Sequence, residues 1–202
     1  MGFIHGQILM DIISNHKPKK FLEIGVFTGV TARNICNLLN EVHGKNFEYY
    51  GLDLFEDYSV TYDDEVAPSS IRKQKQKFSN PIKHIYYNII LNEQINSLKS
   101  VEKFLKKYSS NIKLIKGDSK NTLKQINLSD IDMCFVDGGH SFETVYFELN
   151  YLLEHTKKGC LILCDDYVHH EAKGVKQAVD KVITEKNLRL EEFSNRFAKI
   201  VR

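Results

Sequence analysis

Short apolar runs alternate with amphipathic stretches along most of the chain. The apolar runs predict five strands, at Lys20–Ile24, Tyr49–Leu54, Ile112–Lys116, Ile131–Val136 and Cys160–Cys164. Helical spacing of apolar side chains predicts helices at Thr31–Val42, Ser119–Ile126, Ser141–His155 and Glu171–Glu185. Near-continuous apolar strands that alternate with helices are typical of a parallel sheet covered on both faces. We therefore expect an α/β, Rossmann-like, doubly wound fold in which the carboxyl ends of the parallel strands share one edge.

Three parts lie outside this alternation. Residues 2–16 predict an N-terminal helix, and the segments Leu188–Phe193 and Arg196–Val201 predict a terminal β-hairpin. Residues 57–110 form an interval much longer than a crossover needs, with a helical tract at about Asn92–Tyr108. We interpret this interval either as an inserted lid that faces the substrate or as a long surface excursion.

Composition and charge limit the number of domains and the kinds of partner that the sequence predicts. The 202 residues are 42% hydrophobic and carry 28 Lys+Arg against 26 Asp+Glu, a net charge of +2, which indicates one domain over residues 1–202 with a substantial core. This balance gives no argument for a nucleic-acid or membrane-surface partner. Four cysteines without a C-x-x-C pair predict buried, reduced thiols, and no apolar run reaches the length of a membrane helix. We therefore expect a cytoplasmic protein.

The segment from Phe21 to Thr31 (FLEIGVFTGVT) predicts a strand, a glycine turn and a helix. Gly25 and Gly29 follow the spacing G-x-x-x-G, so the third glycine of the dinucleotide fingerprint is absent, which disfavours NAD or FAD. A cofactor with an amino-acid tail fits better, because Glu23 can compensate a cationic ammonium group. The alternative is a purely structural turn between strand and helix.

Acidic residues recur where predicted strands end. Asp53 is placed to accept hydrogen bonds from ribose hydroxyls, Asp118 could meet an adenine amino group, and Asp137 follows the fourth strand. Each could instead cap the next helix. Their coincidence with Glu23 at one edge of the sheet favours a ligand site.

These motifs resemble class I S-adenosylmethionine (SAM)-dependent methyltransferases from about Phe21 to the C-terminus. The resemblance implies a seven-stranded, mostly parallel sheet with a C-terminal antiparallel hairpin. It also implies that a SAM site is formed by Glu23, Gly25, Thr28, Gly29, Thr31, Asp53, Asp118, Ser119 and Asp137.

The second half resembles the small-molecule O-methyltransferases, which include macrocin-type sugar methylases and catechol methylases. The motifs that carry this resemblance are Phe135–Glu143 (FVDGGHSFE) and Leu163–Tyr167 (LCDDY). Adjacent strands bring carboxylates close together, and crowded carboxylates need a proton or a cation between them. The resemblance implies that Asp137, Asp165 and Asp166 bind a divalent metal, for which an all-oxygen site suits Mg²⁺. It also implies that His140, with Asp137, forms the catalytic pair and is the base.

Some members of that branch are metal-free, so a second interpretation of the acids stays open. In it, Asp137 or Asp165 caps a helix and Asp166 hydrogen-bonds the substrate directly.

The predicted function is SAM-dependent O-methylation of a small-molecule hydroxyl on a sugar or natural product. Four alternatives stay open: a metal-independent methyltransferase, a nucleic-acid methyltransferase, an NAD-dependent oxidoreductase and a non-catalytic binding module. The Asp-Gly-Gly-His run disfavours the second, because base methylation often uses Asn/Asp-Pro-Pro-Tyr at that place.

The charge is unevenly distributed along the chain. Residues 70–125 carry 13 Lys+Arg and 3 Asp+Glu (13 − 3 = +10), which leaves −8 for the remainder. The basic tract is either a solvated helix face or an attractant for an anionic acceptor. A homodimer is also compatible with the sequence.

Overall fold

The computed structural model describes residues 3–55, 81–82, 95–169 and 172–202. The predicted insertion at 57–110 therefore lies mostly outside the described residues, and its role as a lid stays a prediction. The helices are α1 Phe3–His16, α2 Val30–His43, α3 Leu98–Phe104, α4 Ser119–Thr122, α5 Phe142–His155 and α6 Lys173–Lys186. The strands are β1 Lys20–Ile24, β2 Glu48–Asp53, β3 Ile112–Lys116, β4 Met133–Val136, β5 Leu161–Cys164, β6 Leu190–Phe193 and β7 Phe197–Val201.

The described strands form one seven-stranded sheet in the order β3-β2-β1-β4-β5-β7-β6. Strands β1 to β5 pair in parallel, and β7 runs antiparallel to both of its neighbours, β5 and β6. The Rossmann-like fold class and the terminal hairpin are therefore confirmed. The strand order reverses between β1 and β4, and ligands of such sheets bind beside this reversal at the carboxyl ends of the strands.

Alternating side chains divide the core between the two faces of the sheet. Leu22 and Ile24 of β1 belong to a core that includes apolar side chains of α5 and α6. Phe21 points to the other face and belongs to a core that includes side chains of α1 and α2. Since side chains alternate along a strand, Glu23 lies on the same face as Phe21 and is completely buried there.

The helix before β3 and the four cysteines were also predicted from the sequence. The helical tract proposed at Asn92–Tyr108 is shorter where it is described, because α3 ends at Phe104 and a single 3₁₀ turn follows at Lys106–Tyr108. All four cysteines are buried and free of disulfides, as expected. Among the described helices, none combines the length and apolar character needed to cross a bilayer.

Candidate active site

The carboxyl ends of β1, β2, β4 and β5 carry the acidic residues singled out in the sequence. The register pairs Ile24 with Leu52 on one side and with Val136 on the other, and Val136 with Cys164. The residues that follow these positions therefore meet at one edge of the sheet.

The glycine turn brings the β1 and β4 loops together. Gly25 has φ 97°, and a Cβ at this position would lie 2.1 Å from the carbonyl oxygen of Asp137. Gly29 has φ 78° at the start of α2, where a Cβ would lie 2.9 Å from Cγ1 of Val101. Both positions therefore require glycine for backbone conformation and for space. Thr28 and Thr31 are partly exposed on either side of this helix start.

Glu23 is a buried acid with an incomplete set of partners. The hydroxyl of Tyr49 donates to Oε2, whereas Oε1 has no hydrogen-bond partner among the described residues. Burial raises the pKa of Glu23 to about 8, against the opposing effect of the Tyr49 hydrogen bond. An ammonium group from a ligand would supply the missing donor and a compensating charge. Tyr49 was not predicted as a site residue, because the sequence presents it only as an apolar strand position.

Asp53 connects the glycine turn to the loop after β2. Its carboxylate accepts hydrogen bonds from the backbone N–H groups of Phe27 at 2.8 Å and Phe55 at 2.7 Å. Burial raises the pKa of Asp53, and these backbone donors oppose the shift. Carboxylate oxygens can accept more than one hydrogen bond each, so ribose binding stays a prediction for this residue.

Asp118 acts as a helix cap in the structure. Its side chain accepts from the backbone N–H of Lys120 at 2.9 Å, at the start of α4. Ser119 is buried beside it. The capping alternative is therefore observed, and the predicted contact with adenine stays a prediction that the cap does not exclude.

Asp137, Asp165 and Asp166 form the acidic cluster that the sequence predicted. One carboxylate oxygen from each lies within 4.8 Å of the other two. Burial, and then the charge of Asp165, raise the pKa of Asp137 well above its ordinary range, with Glu23 adding to the shift. In the absence of a cation, Asp137 therefore retains its proton more readily than an exposed aspartate.

Arg196 is the principal site residue that sequence reasoning missed. Its guanidinium binds Asp165 with two donors, Nε to Oδ1 and Nη2 to Oδ2, the latter at 2.7 Å. The same Nη2 lies 2.8 Å from Oδ1 of Asp166. A signal was present, since the antiparallel pairing of Cys164 with Ala198, extended by two residues, places Asp166 opposite Arg196.

His140 lies on the exposed side of the cluster. Its Nε2 is 3.3 Å from Oδ2 of Asp166, and 52% of its side chain is exposed. This contact is the main reason that the pKa of Asp166 is lowered, and Arg196 adds to the effect. Gly174 of α6 allows the close packing behind this loop, because a Cβ there would lie 2.4 Å from the carbonyl oxygen of His140.

A small cavity lies beside Arg196. It has a volume of about 190 Å³ and is lined by His5, Val168, His169, Asn195 and Arg196. A larger cavity of about 350 Å³ lies at the opposite edge of the sheet, near Lys19, Asp132 and Gly159, and is remote from the acidic cluster. The smaller cavity therefore adjoins the acidic cluster, because Arg196 both lines it and binds Asp165.

The chain is similar to known proteins in sequence and in fold. The methyltransferase domain family Methyltransf_24 matches residues 22–167. No curated protein matches the sequence significantly.

Solved structures with the same fold include several methyltransferases. The O-methyltransferase from Bacillus cereus, in complex with SAH (S-adenosylhomocysteine), is 12% identical with a TM-score of 0.64, over 100% of this chain and 82% of that one. The SAH-bound methyltransferase PaMTH1 from Podospora anserina is 20% identical with a TM-score of 0.61, over 100% and 79%. CalS11, a TDP-rhamnose 3′-O-methyltransferase of calicheamicin biosynthesis, is 15% identical with a TM-score of 0.60, over 98% and 79%.

Proposed function

Because the chain belongs to the Methyltransf_24 family of methyltransferase domains and is a SAM-dependent methyltransferase, we propose that it methylates a hydroxyl group of a small molecule. One observation carries this proposal. Glu23 is buried on β1, and one of its carboxylate oxygens has no partner among the described residues. The adjacent strand β4 leads to His140, which pairs with Asp166. This arrangement supports a cofactor site and a proton-accepting site that would adjoin at the carboxyl ends of β1 and β4.

The cofactor half of the site extends from β1 to α4. Glu23 would bind the ammonium group of SAM, and the glycine turn would allow its backbone to approach the ligand closely. Asp53 would accept from the ribose hydroxyls, and Asp118 with Ser119 would contact the adenine. We propose that Thr28, Thr31 and Asp137 also contact the bound SAM.

A divalent metal fits the acidic cluster by its donor chemistry. Three carboxylates within 4.8 Å offer only oxygen ligands, the set that Mg²⁺ prefers. Asp137, Asp165 and Asp166 would hold the ion, which would lower the pKa of the acceptor hydroxyl.

The protein's own groups account for the proton transfer. Because Nε2 of His140 faces Oδ2 of Asp166, it would donate to that carboxylate, and the other ring nitrogen would take the hydroxyl proton. Asp166 would thus orient the imidazole and stabilise its charged form. SAM, when bound, would supply an activated methyl group: the acceptor oxygen would bond to the methyl carbon as the carbon–sulfur bond breaks, and the electron pair of that bond would pass to sulfur, leaving neutral SAH. The remaining task is alignment, because the methyl group is already activated.

The acceptor we propose is a sugar or natural-product hydroxyl. The fold is shared with an enzyme that methylates TDP-rhamnose, an anionic nucleotide sugar. The excess of +10 in residues 70–125 also favours an anionic acceptor over a neutral one.

A metal-independent reaction at the same site is the second candidate. It is favoured by Arg196, which already compensates the charge of Asp165 without any metal.

Thermal denaturation with SAH, SAM and NAD tests the cofactor, since a ligand that binds only the folded state raises the melting temperature. We expect SAH and SAM to raise it and NAD to leave it unchanged. A shift with NAD alone would contradict the proposal. Release of SAH from SAM, followed across hydroxyl-bearing acceptors with Mg²⁺ and with EDTA, then separates the two candidates.

A further inference from the structure

The acidic cluster already contains a cation. The side chain of Arg196 is only 17% exposed, and that of Asp165 is 1% exposed, so their ion pair is largely shielded from water. A shielded guanidinium–carboxylate pair with two parallel hydrogen bonds is among the stronger polar contacts in proteins. Arg196 is therefore an integral part of the acidic cluster.

The oxygens of Asp165 are heavily used by this contact. Oδ1 accepts from Nε of Arg196 and from the backbone N–H of Asp166 at 2.8 Å, and Oδ2 accepts from Nη2 of Arg196. Nη2 also reaches Oδ1 of Asp166. Both oxygens of Asp165 therefore face the guanidinium, whereas Oδ1 of Asp166 lies within ion-pair distance of it but accepts no hydrogen bond from the described residues. A divalent cation that binds these oxygens would have to take the place of the guanidinium.

The backbone holds Arg196 in this place. The N–H of Tyr167 donates to the carbonyl oxygen of Arg196 at 2.8 Å, which joins the β5 loop to the terminal hairpin. Ser194 and Asn195 both have φ 52° in the turn between β6 and β7, so the chain reverses just before Arg196. The guanidinium can therefore leave the acids by rotation of its side chain, while its backbone remains attached.

We propose that Arg196 is an internal counter-ion that competes with a divalent cation for Asp165 and Asp166. It holds the acids together in the metal-free protein, and the free energy needed to displace it lowers the affinity of the cluster for metal. Arg196 is a positioning residue, because it acts through the two acids. The inference rests on the metal site of the proposed function, but not on methyl transfer itself.

The test is a calorimetric titration of Mn²⁺ into the full chain without SAM, for the wild type and the variants Arg196→Gln and Arg196→Lys. We expect Arg196→Gln to bind Mn²⁺ about tenfold or more tightly than the wild type, because an occupying cation has been removed. Arg196→Lys should lie between them, since lysine keeps the charge but loses the planar fork of donors. Lys199→Gln is the matched control, because Lys199 lies on the same hairpin and pairs with Glu191, and its titration should equal that of the wild type.

Thermal denaturation supplies a second readout. In EDTA, Arg196→Gln should melt below the wild type, because Asp165 and Asp166 lose their counter-ion, and Mn²⁺ should restore more of its stability than it adds to the wild type. Should Arg196→Gln fail to fold, Arg196→Lys still tests the order of affinities. Equal or weaker Mn²⁺ binding by the variants, or no binding by any protein, overturns the inference. SAH binding, measured separately, shows whether the proposed function fails as well.

Discussion

The two halves of the site satisfy their buried charges in opposite ways. In the proposed cofactor half, Glu23 is fully buried, and one of its oxygens has no hydrogen-bond partner in the described part of the chain. In the proposed acceptor half, Asp165 is equally inaccessible but is bound by the guanidinium of Arg196. An acid whose pKa is raised by burial is suited to a ligand that brings a cation, whereas an acid with its own cation is stable without a ligand. The cofactor half should therefore respond more strongly to its ligand.

The close approach of Gly25 to the backbone of Asp137 gives the largest expected effect, which is on the free energy of unfolding. Gly25→Ala would place a Cβ 2.1 Å from the carbonyl oxygen of Asp137 at φ 97°, so we expect a loss of more than about 3 kcal/mol in the free energy of unfolding. Urea denaturation measures it. Gly159→Ala is the control, because Gly159 also has positive φ but open space around it, and should lose only about 1–2 kcal/mol. Equal losses would show that the close approach of the two loops is unimportant.

Removal of the proposed base should affect the acceptor half alone. We expect His140→Ala to slow SAH release by roughly 10²–10⁴-fold, the usual contribution of a general base, while the affinity for SAH stays unchanged. His155→Ala, at the far end of α5, serves as the control with unchanged turnover. If His140→Ala weakened SAH binding to the same degree as turnover, the assignment of the base would be wrong.

Replacement of the buried carboxyl group of Glu23 should affect cofactor binding alone. Glu23→Gln should weaken SAH binding about 10–100-fold, because a hydrogen bond to a charged group contributes about 1.5–3 kcal/mol. Calorimetry with SAH measures this, and Tyr49→Phe, which removes the donor to Oε2, should have a smaller effect. An unchanged affinity in Glu23→Gln would remove Glu23 from the cofactor site.

Glu23→Gln should also change how the stability of the protein depends on pH. The pKa of Glu23 rises from an ordinary 4.5 to about 8 on folding, so between these values the folded protein binds more protons than the unfolded chain. The stability of the ligand-free protein should therefore fall as pH rises through that window. Glu23→Gln should lack this contribution, and an identical slope in both proteins would contradict the shift.

Asp118 gives the smallest effect and separates its two roles. Asp118→Ala should cost about 1 kcal/mol of stability through the lost helix cap, whereas Asp118→Asn should retain the cap. A contact with the adenine amino group would make Asp118→Asn bind SAH more weakly at unchanged stability. Wild-type affinity in Asp118→Asn would leave capping as the only role.

The sequence predicted the scaffold better than the side-chain partners. The β1 and β3 strands match their predicted bounds, because five-residue apolar runs between polar turns leave little choice of register. The acidic cluster was predictable since it follows two adjacent parallel strands. Arg196 and Tyr49 were missed because their roles depend on which residue faces them across the sheet, information that hydrophobic periodicity does not contain. The predicted helical tract was too long, because the described helix begins at Leu98 after its cap Ser97, ends at Phe104 and is followed by the 3₁₀ turn Lys106–Tyr108.

Proton release on SAH binding tests most directly whether the buried Glu23 pairs with the ammonium group of the ligand. Titrations at pH 7 in two buffers of different ionisation enthalpy measure the protons exchanged. At that pH a group with a pKa of about 8 is mostly protonated, and an ion pair between Glu23 and the SAH ammonium requires the proton to leave. We predict release of most of one proton per SAH by the wild type and almost none by Glu23→Gln. Tight SAH binding without proton release by the wild type would contradict the account.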